Sequence, residues 1–404
     1  MLHEQAIEAL VQSMRWVGGV LWCLVWGFAR IQASSPWRYP DANWKEGFRP
    51  TADAAQFQPG HWDINSGREL LSILLPVVPN HLEFGYVRNQ LRTFHSLFDL
   101  ESIAAWLIVT PHEHLQSMQR FFSYELHKDL PGMRADLFQV VEDGQCASEL
   151  LPDSMYKDLT LWPGWTRQQV VKLACAHLMK TPFYLVLDAD VFAARRAHAL
   201  DLFVTDSCDQ QAHHICDTQQ SISYRCKNDC YPMAGGEEDW HMRWWRNSAE
   251  TLQLDVPFDW EYAIGVTPQI LATDISLQLG QYIQNRFQVD SWVAYLLEVF
   301  ADRNQRNWDA NHELQHDPAW TEYSIYYVFA QHAQMFEQYH ATSVVLQQSA
   351  VWTQEQYDMW EPCQDTFDAD YGYLSLVQSN LKIPAEAVWA RMQPCWHSTK
   401  KLRQ

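Results

Sequence analysis

The chain has 404 residues, 47% of them apolar and 19% charged, a balance that excludes a disordered or collagen-like chain and lacks the long apolar runs of a polytopic membrane protein. This length leaves room for one large α/β domain with insertions or for two domains. With 29 Lys and Arg against 49 Asp and Glu, the formal net charge is −20 and no basic patch stands out, which argues against a nucleic-acid partner.

In chain order, the first predicted feature is the uncharged stretch of 14 residues from Trp16 to Ala29 between Arg15 and Arg30. A membrane span needs about 20 apolar residues, so this length fits a secretory signal or short signal-anchor within residues 1–35 better than a full span. A buried or amphipathic helix is the alternative, since Glu4 and Glu8 precede it and no clean small-residue cleavage site comes after it. Residues 36–69, with Pro36, Pro40, Pro50 and Pro59, read as a stem or linker.

From residue 70 the pattern becomes α/β. Apolar runs suited to strands buried on both faces occur at Leu70–Val78, Ser102–Val109, Leu137–Val141 and Phe183–Leu187, separated by helical stretches. Alternation of this kind predicts a Rossmann-like, mostly parallel sheet flanked by helices, with ligands bound beyond the carboxyl ends of the strands. Chemistry is therefore expected in the residues immediately after each run, beginning with Pro79-Asn80-His81 after the first. Residues 70–200 form the expected nucleotide-binding half. Residues 201–350 carry a Cys-rich insert and helical segments, and 351–404 are an expected C-terminal extension.

The strongest local signal is Leu187-Asp188-Ala189-Asp190 after the fourth run. Two carboxylates one residue apart can share a hard divalent cation, Mn²⁺ or Mg²⁺, whose shell a substrate diphosphate completes. An isolated Asp-x-Asp is also an ordinary strand end. Upstream, Thr166 and Gln169 have capping-box spacing, and Gln168 and Lys172 share one helix face that either reaches a donor or is simply solvated. Downstream, Thr321 is a predicted N-cap, with Glu322 in the first turn where the helix dipole favours a carboxylate and where a general base would also be suited.

Four cysteines, Cys208, Cys216, Cys226 and Cys230, fall in one polar segment with His213 and His214. Leaving out Cys23 in the apolar stretch, the other eight suit disulfides in an oxidising lumen, at least one of them within that segment. Zinc and reduced thiols stay open as alternatives, although the spacings miss the paired C-x-x-C pattern. No N-x-[ST] sequon occurs.

Taken in order, Gly164-Trp165-x-x-Gln168-Gln169-x-x-Lys172-Leu173, Asp188-Ala189-Asp190, Gly265-Val266-Thr267-Pro268-Gln269-Ile270-Leu271 and Trp320-Thr321-Glu322-Tyr323-Ser324-Ile325-Tyr326 resemble a largely uncharacterised family. Its members look like glycosyltransferases of the GT-A fold, and the resemblance spans roughly residues 72 to 346. It implies transfer of a sugar from a nucleoside-diphosphate sugar to a glycan or glycoconjugate acceptor, with Asp188 and Asp190 at the metal and His340 the nearest candidate third ligand, ahead of His332 and His316. It also implies substrate contacts from Pro76, Asn80, Trp165, Gln168, Gln169, Lys172, Thr267, Pro268, Gln269 and Tyr323, with Glu322 as base. Gly235-Gly236-Glu237-Glu238-Asp239 is a rival source of that base.

The expected setting is the secretory lumen, with any membrane association coming through the N-terminal segment. Two alternatives stay open: a carbohydrate-binding protein without turnover, and a metal-dependent phosphoesterase, which would want a second metal-binding cluster that the sequence does not offer.

Overall fold

The computed structural model describes residues 70–78, 81–147, 164–206, 223–227, 230–232, 240–254, 262–311, 318–341, 346–368 and 372–401. Contacts divide the chain into Met1–Arg49 and Pro50–Gln404, and all the described residues belong to the second unit. The candidate signal and most of the Cys-rich insert lie outside the described residues. No described helix is long and apolar enough to cross a membrane.

The central sheet begins with β1 (Leu71–Pro76), followed by helix α1 (His81–Leu97), β2 (Trp106–Thr110) and β3 (Phe138–Glu142). Short helix α2 (Asp143–Ala147) and helix α3 (Gly164–Ala174) precede β4 (Phe183–Val186). Leu71, Ile73, Leu74 and Leu75 are fully buried, each contributing about 1.5–3 kcal/mol of transfer free energy, which is why a continuous apolar run is stable only with both sheet faces covered. The second strand starts at Trp106 rather than Ser102. The Asp99 carboxylate accepts a hydrogen bond from the Glu101 amide and caps a 3-10 turn over Leu100–Ser102, which takes those residues out of the strand.

Strands β4, β1, β2 and β3 are parallel neighbours in that order. A fifth strand, Gln269–Ala272, lies antiparallel beside β4 with Gln269 opposite Val186. The sheet is thus mostly parallel and helix-flanked, as the alternation of apolar runs predicts. The antiparallel edge has a functional consequence: residues just before Gln269 arrive at the same end of the sheet as residues just after Val186.

A second sheet joins Val191–Ala193, Gln347–Val351 and Leu374–Val377. The C-terminal residues are therefore woven into the Asp-x-Asp loop. Helix α4 (Glu322–His332) and helix α5 (Ala385–Lys401) are the later helices that bear on the site. Gly85 permits the close crossing of α1 and α5, because a Cβ at that position would lie 2.6 Å from the Ala385 Cβ. Disulfides tie Cys146 to Cys175 and Cys363 to Cys395.

Candidate functional site

Lys172 is the hub of the site. Its side chain sits on α3 and is almost wholly buried, yet its ammonium lies 3.0 Å from Asp188 Oδ1 and 2.9 Å from Glu322 Oε1, and donates to Thr267 Oγ1 at 3.1 Å. Burial pushes this amine toward the neutral form, but the Asp188 and Glu322 carboxylates override that and hold its pKa well above the ordinary lysine range. Gln168, four residues earlier and on the same face, donates from Nε2 to Asp188 Oδ1 at 2.7 Å. The helix itself begins at Gly164, so Thr166 falls inside the first turn. Its hydroxyl has no hydrogen-bond partner, and the capping box suggested by the spacing to Gln169 does not form. Gln169 instead accepts the Glu322 amide through Oε1 at 3.1 Å.

Asp190 is buried, with its two carboxylate oxygens differently served. Oδ2 accepts the Ser379 amide at 2.7 Å, whereas Oδ1 has no hydrogen-bond partner. Gln90 on α1 braces the loop, donating to the carbonyls of Asp188 and Val191. Burial, reinforced by Asp188, pushes the Asp190 carboxyl up to about 6; burial also raises Glu83, in the first turn of α1, to about 7, with Asp190 and Asp188 adding repulsion.

A carboxyl with a raised folded-state pKa favours the folded state most below its unfolded pKa, and that contribution is lost as the pH rises through the folded value. The stability of Asp190→Asn relative to wild type should therefore increase between about pH 4 and pH 6 in the metal-free protein, by roughly 2–3 kcal/mol. Thermal melts in a chelator at stepped pH check this; a difference that stays flat across the window would contradict it.

On the opposite side of Lys172, Thr321 caps α4 as expected, accepting the Ser324 amide at 3.3 Å, and Glu322 opens the helix with 3% exposure. Burial raises the Glu322 carboxyl, against the opposing pull of Lys172. Tyr323 shares a hydrogen bond with Thr267 at 2.8 Å, and its ring lies under the Lys172 ammonium at 5.5 Å. Pro268 and the fully buried Gln269 continue from Thr267 into the antiparallel edge strand. Pro76 is buried at the carboxyl end of β1, and Asn80 lies outside the described residues. Trp165 is different in kind: the residue is 46% exposed, with its ring against Phe300 at 5.8 Å between centroids.

A family profile matches residues 71–400, more than three quarters of the chain. The chain belongs to the DUF6492 family of unknown function. Among solved structures, the apo form of mouse xyloside xylosyltransferase 1 is similar to 78% of this DUF6492 chain and to 100% of its own, at 10% identity and a TM-score of 0.37, a distant likeness that says nothing of activity. No curated protein matches the chain significantly.

In this DUF6492 protein, His340 is not brought to the aspartates. It is 1% exposed, with Nδ1 at 3.0 Å from Cys226 Sγ and Nε2 at 2.8 Å from the Tyr326 hydroxyl, and Phe336 stacks on its ring. Burial depresses its pKa to about 3. Both ring nitrogens are taken, which corrects the expectation of a His340 ligand beside Asp188 and Asp190. Among the described residues, no three His, Cys, Asp or Glu side chains come together as a metal cage. His332 packs against Tyr282, while His316 and the rival base segment Glu237 to Asp239 lie outside the described residues. Cys226 is a buried thiol, and the two described disulfides join cysteines beyond the Cys208 to Cys230 segment.

Sequence reasoning missed Glu83, Gln90 and Ser379. Glu83 stands two residues beyond the Pro79-Asn80-His81 segment at the end of β1, so the strand-end rule came close to it. Ser379 reaches Asp190 from 189 positions downstream, through its backbone amide and its side chain, a distance that no spacing rule spans.

Proposed function

We propose that this protein is a metal-dependent glycosyltransferase of the GT-A kind, moving a sugar from a nucleoside-diphosphate sugar to a glycan or glycoconjugate. The observation that carries this reading is the Asp190 Oδ1 atom, buried without a partner beside a second carboxylate at the carboxyl end of a parallel strand. An orphaned buried oxygen of this kind costs free energy unless a ligand completes it, and a hard cation suits two carboxylates. Asp188 and Asp190 would hold Mn²⁺ or Mg²⁺, which when bound neutralises charge on the leaving diphosphate.

Around that centre, Gln168 orients Asp188 and Lys172 links it to the acceptor side, where Glu322, Tyr323, Thr267, Pro268 and Gln269 gather. Glu322 is the proposed base. Trp165 offers an exposed aromatic face, the kind of surface on which a sugar ring stacks. The two disulfides support a luminal setting, with residues 1–35 as the proposed signal or anchor.

The test is a panel of nucleotide sugars with Mn²⁺ or with chelator, read by thermal stabilisation and hydrolysis. A donor should raise the melting temperature in Mn²⁺ alone among the two conditions, since a ligand that binds only the native state stabilises it. No shift from any member would defeat the reading. Metal-dependent sugar binding without transfer to any acceptor would favour the carbohydrate-binding alternative.

A further inference from the structure

With water excluded, the Lys172 ammonium donates to Glu322 and Thr267, at 2.9 and 3.1 Å, and is ion-paired with Asp188 at 3.0 Å. Asp188 Oδ1 accepts a hydrogen bond from Gln168 and is ion-paired with the Lys172 ammonium, so both neighbours crowd the same oxygen. A divalent cation approaching Asp188 must displace Gln168 or Lys172 or take the other oxygen, close to a positive charge that has no solvent into which to withdraw. The same ammonium offsets one of the two negative charges, Asp188 and Glu322, between which it lies. Asp190, with its orphaned oxygen, supplies the remaining attraction.

We propose that Lys172 is a resident counter-ion that competes with the divalent cation for Asp188, so that the site takes up metal effectively only together with a diphosphate. The diphosphate carries the additional negative charge that Lys172 has already withdrawn from Asp188, and metal and diphosphate therefore bind as a pair. Lys172 acts here as a positioning residue, setting the order in which the site is filled. This rests on the reading of Asp188 and Asp190 as the metal side.

A purely structural lysine makes the opposite prediction. If Lys172 only held the two acids in place, removing it would loosen Asp188 and weaken the cation site. If Lys172 competes, removing it strengthens binding of the bare cation and reduces the benefit that a diphosphate confers, by the reciprocity of linked equilibria.

The experiment uses the full chain and calorimetric titration with Mn²⁺, first alone and then with uridine or guanosine diphosphate as the probe. Wild type should bind Mn²⁺ at least tenfold more tightly in the presence of the nucleotide that it accepts. Lys172→Met should bind Mn²⁺ alone at least tenfold more tightly than wild type does, with the nucleotide-dependent gain reduced. Because this substitution leaves two buried carboxylates facing each other, Lys172→Met with Glu322→Gln is measured alongside; it removes the ammonium together with one of its counter-charges and should show the same tightening. Circular dichroism identifies which variants are folded. A folded variant whose affinity for Mn²⁺ alone equals or falls below that of wild type overturns the competition. Absence of Mn²⁺ binding by wild type and both variants, with or without nucleotide, would instead defeat the metal reading itself, so the two failures are distinguishable.

Discussion

Asp190→Asn should abolish the Mn²⁺-dependent part of nucleotide-diphosphate binding, a loss of at least 100-fold in affinity, or about 2.7 kcal/mol. The amide can still accept the Ser379 N–H through its oxygen, so the link to the C-terminal segment survives. What disappears is the negative charge and the second oxygen, the one left without a partner in the metal-free site. Asp188→Asn should have a similar effect on binding while leaving Lys172 with Glu322 and Thr267 as partners. Neither change should collapse the fold, because relieving repulsion between two close carboxylates offsets part of what is lost. Calorimetry with nucleoside diphosphate in Mn²⁺ is the check. Wild-type affinity in either variant would remove the main physical support for a metal-dependent transferase.

A second large effect is expected at Glu322. Glu322→Gln should lower turnover by about 10² or more with donor binding nearly unchanged, the signature of losing a proton acceptor rather than a binding contact. The buried setting sharpens the comparison. Glu322→Ala also deprives Lys172 of a partner in a nearly dry site, and should cost on the order of 3 kcal/mol of stability, whereas the isosteric Gln keeps a hydrogen-bond acceptor there. Melting temperatures and kcat measured side by side distinguish chemistry from structure. Full turnover in Glu322→Gln, with loss in Glu237→Gln, would move the base to the acidic segment before the edge strand.

Much of the architecture is legible in the sequence because its signals are local. Continuous apolar runs mark β1 to β4, and the Asp-x-Asp pair falls just beyond the fourth. Thr321 three residues before Ser324 is a cap that a single helical turn satisfies. These features depend on periodicity and on hydrogen bonds between near neighbours, so they survive without knowledge of the fold.

Tertiary structure decided the rest, for reasons of distance. Gln269–Ala272 is too short an apolar run to declare itself, and only pairing against β4 makes it the edge strand that carries Thr267 to the Asp188 end of the sheet. Lys172 and Glu322 are 150 positions apart, and no spacing rule connects them. The pairings Cys146 to Cys175 and Cys363 to Cys395 likewise depend on which elements pack together, because cysteine counts constrain the number of bridges and not their partners. His340 shows the same limit from the other side. Its residue type suits a metal, but the chain buries it against Cys226 and Tyr326, where both ring nitrogens satisfy core polar groups. Side-chain chemistry can be read from one dimension, whereas a ligand set is a statement about which distant segments a core brings within bonding distance, and packing alone makes that choice.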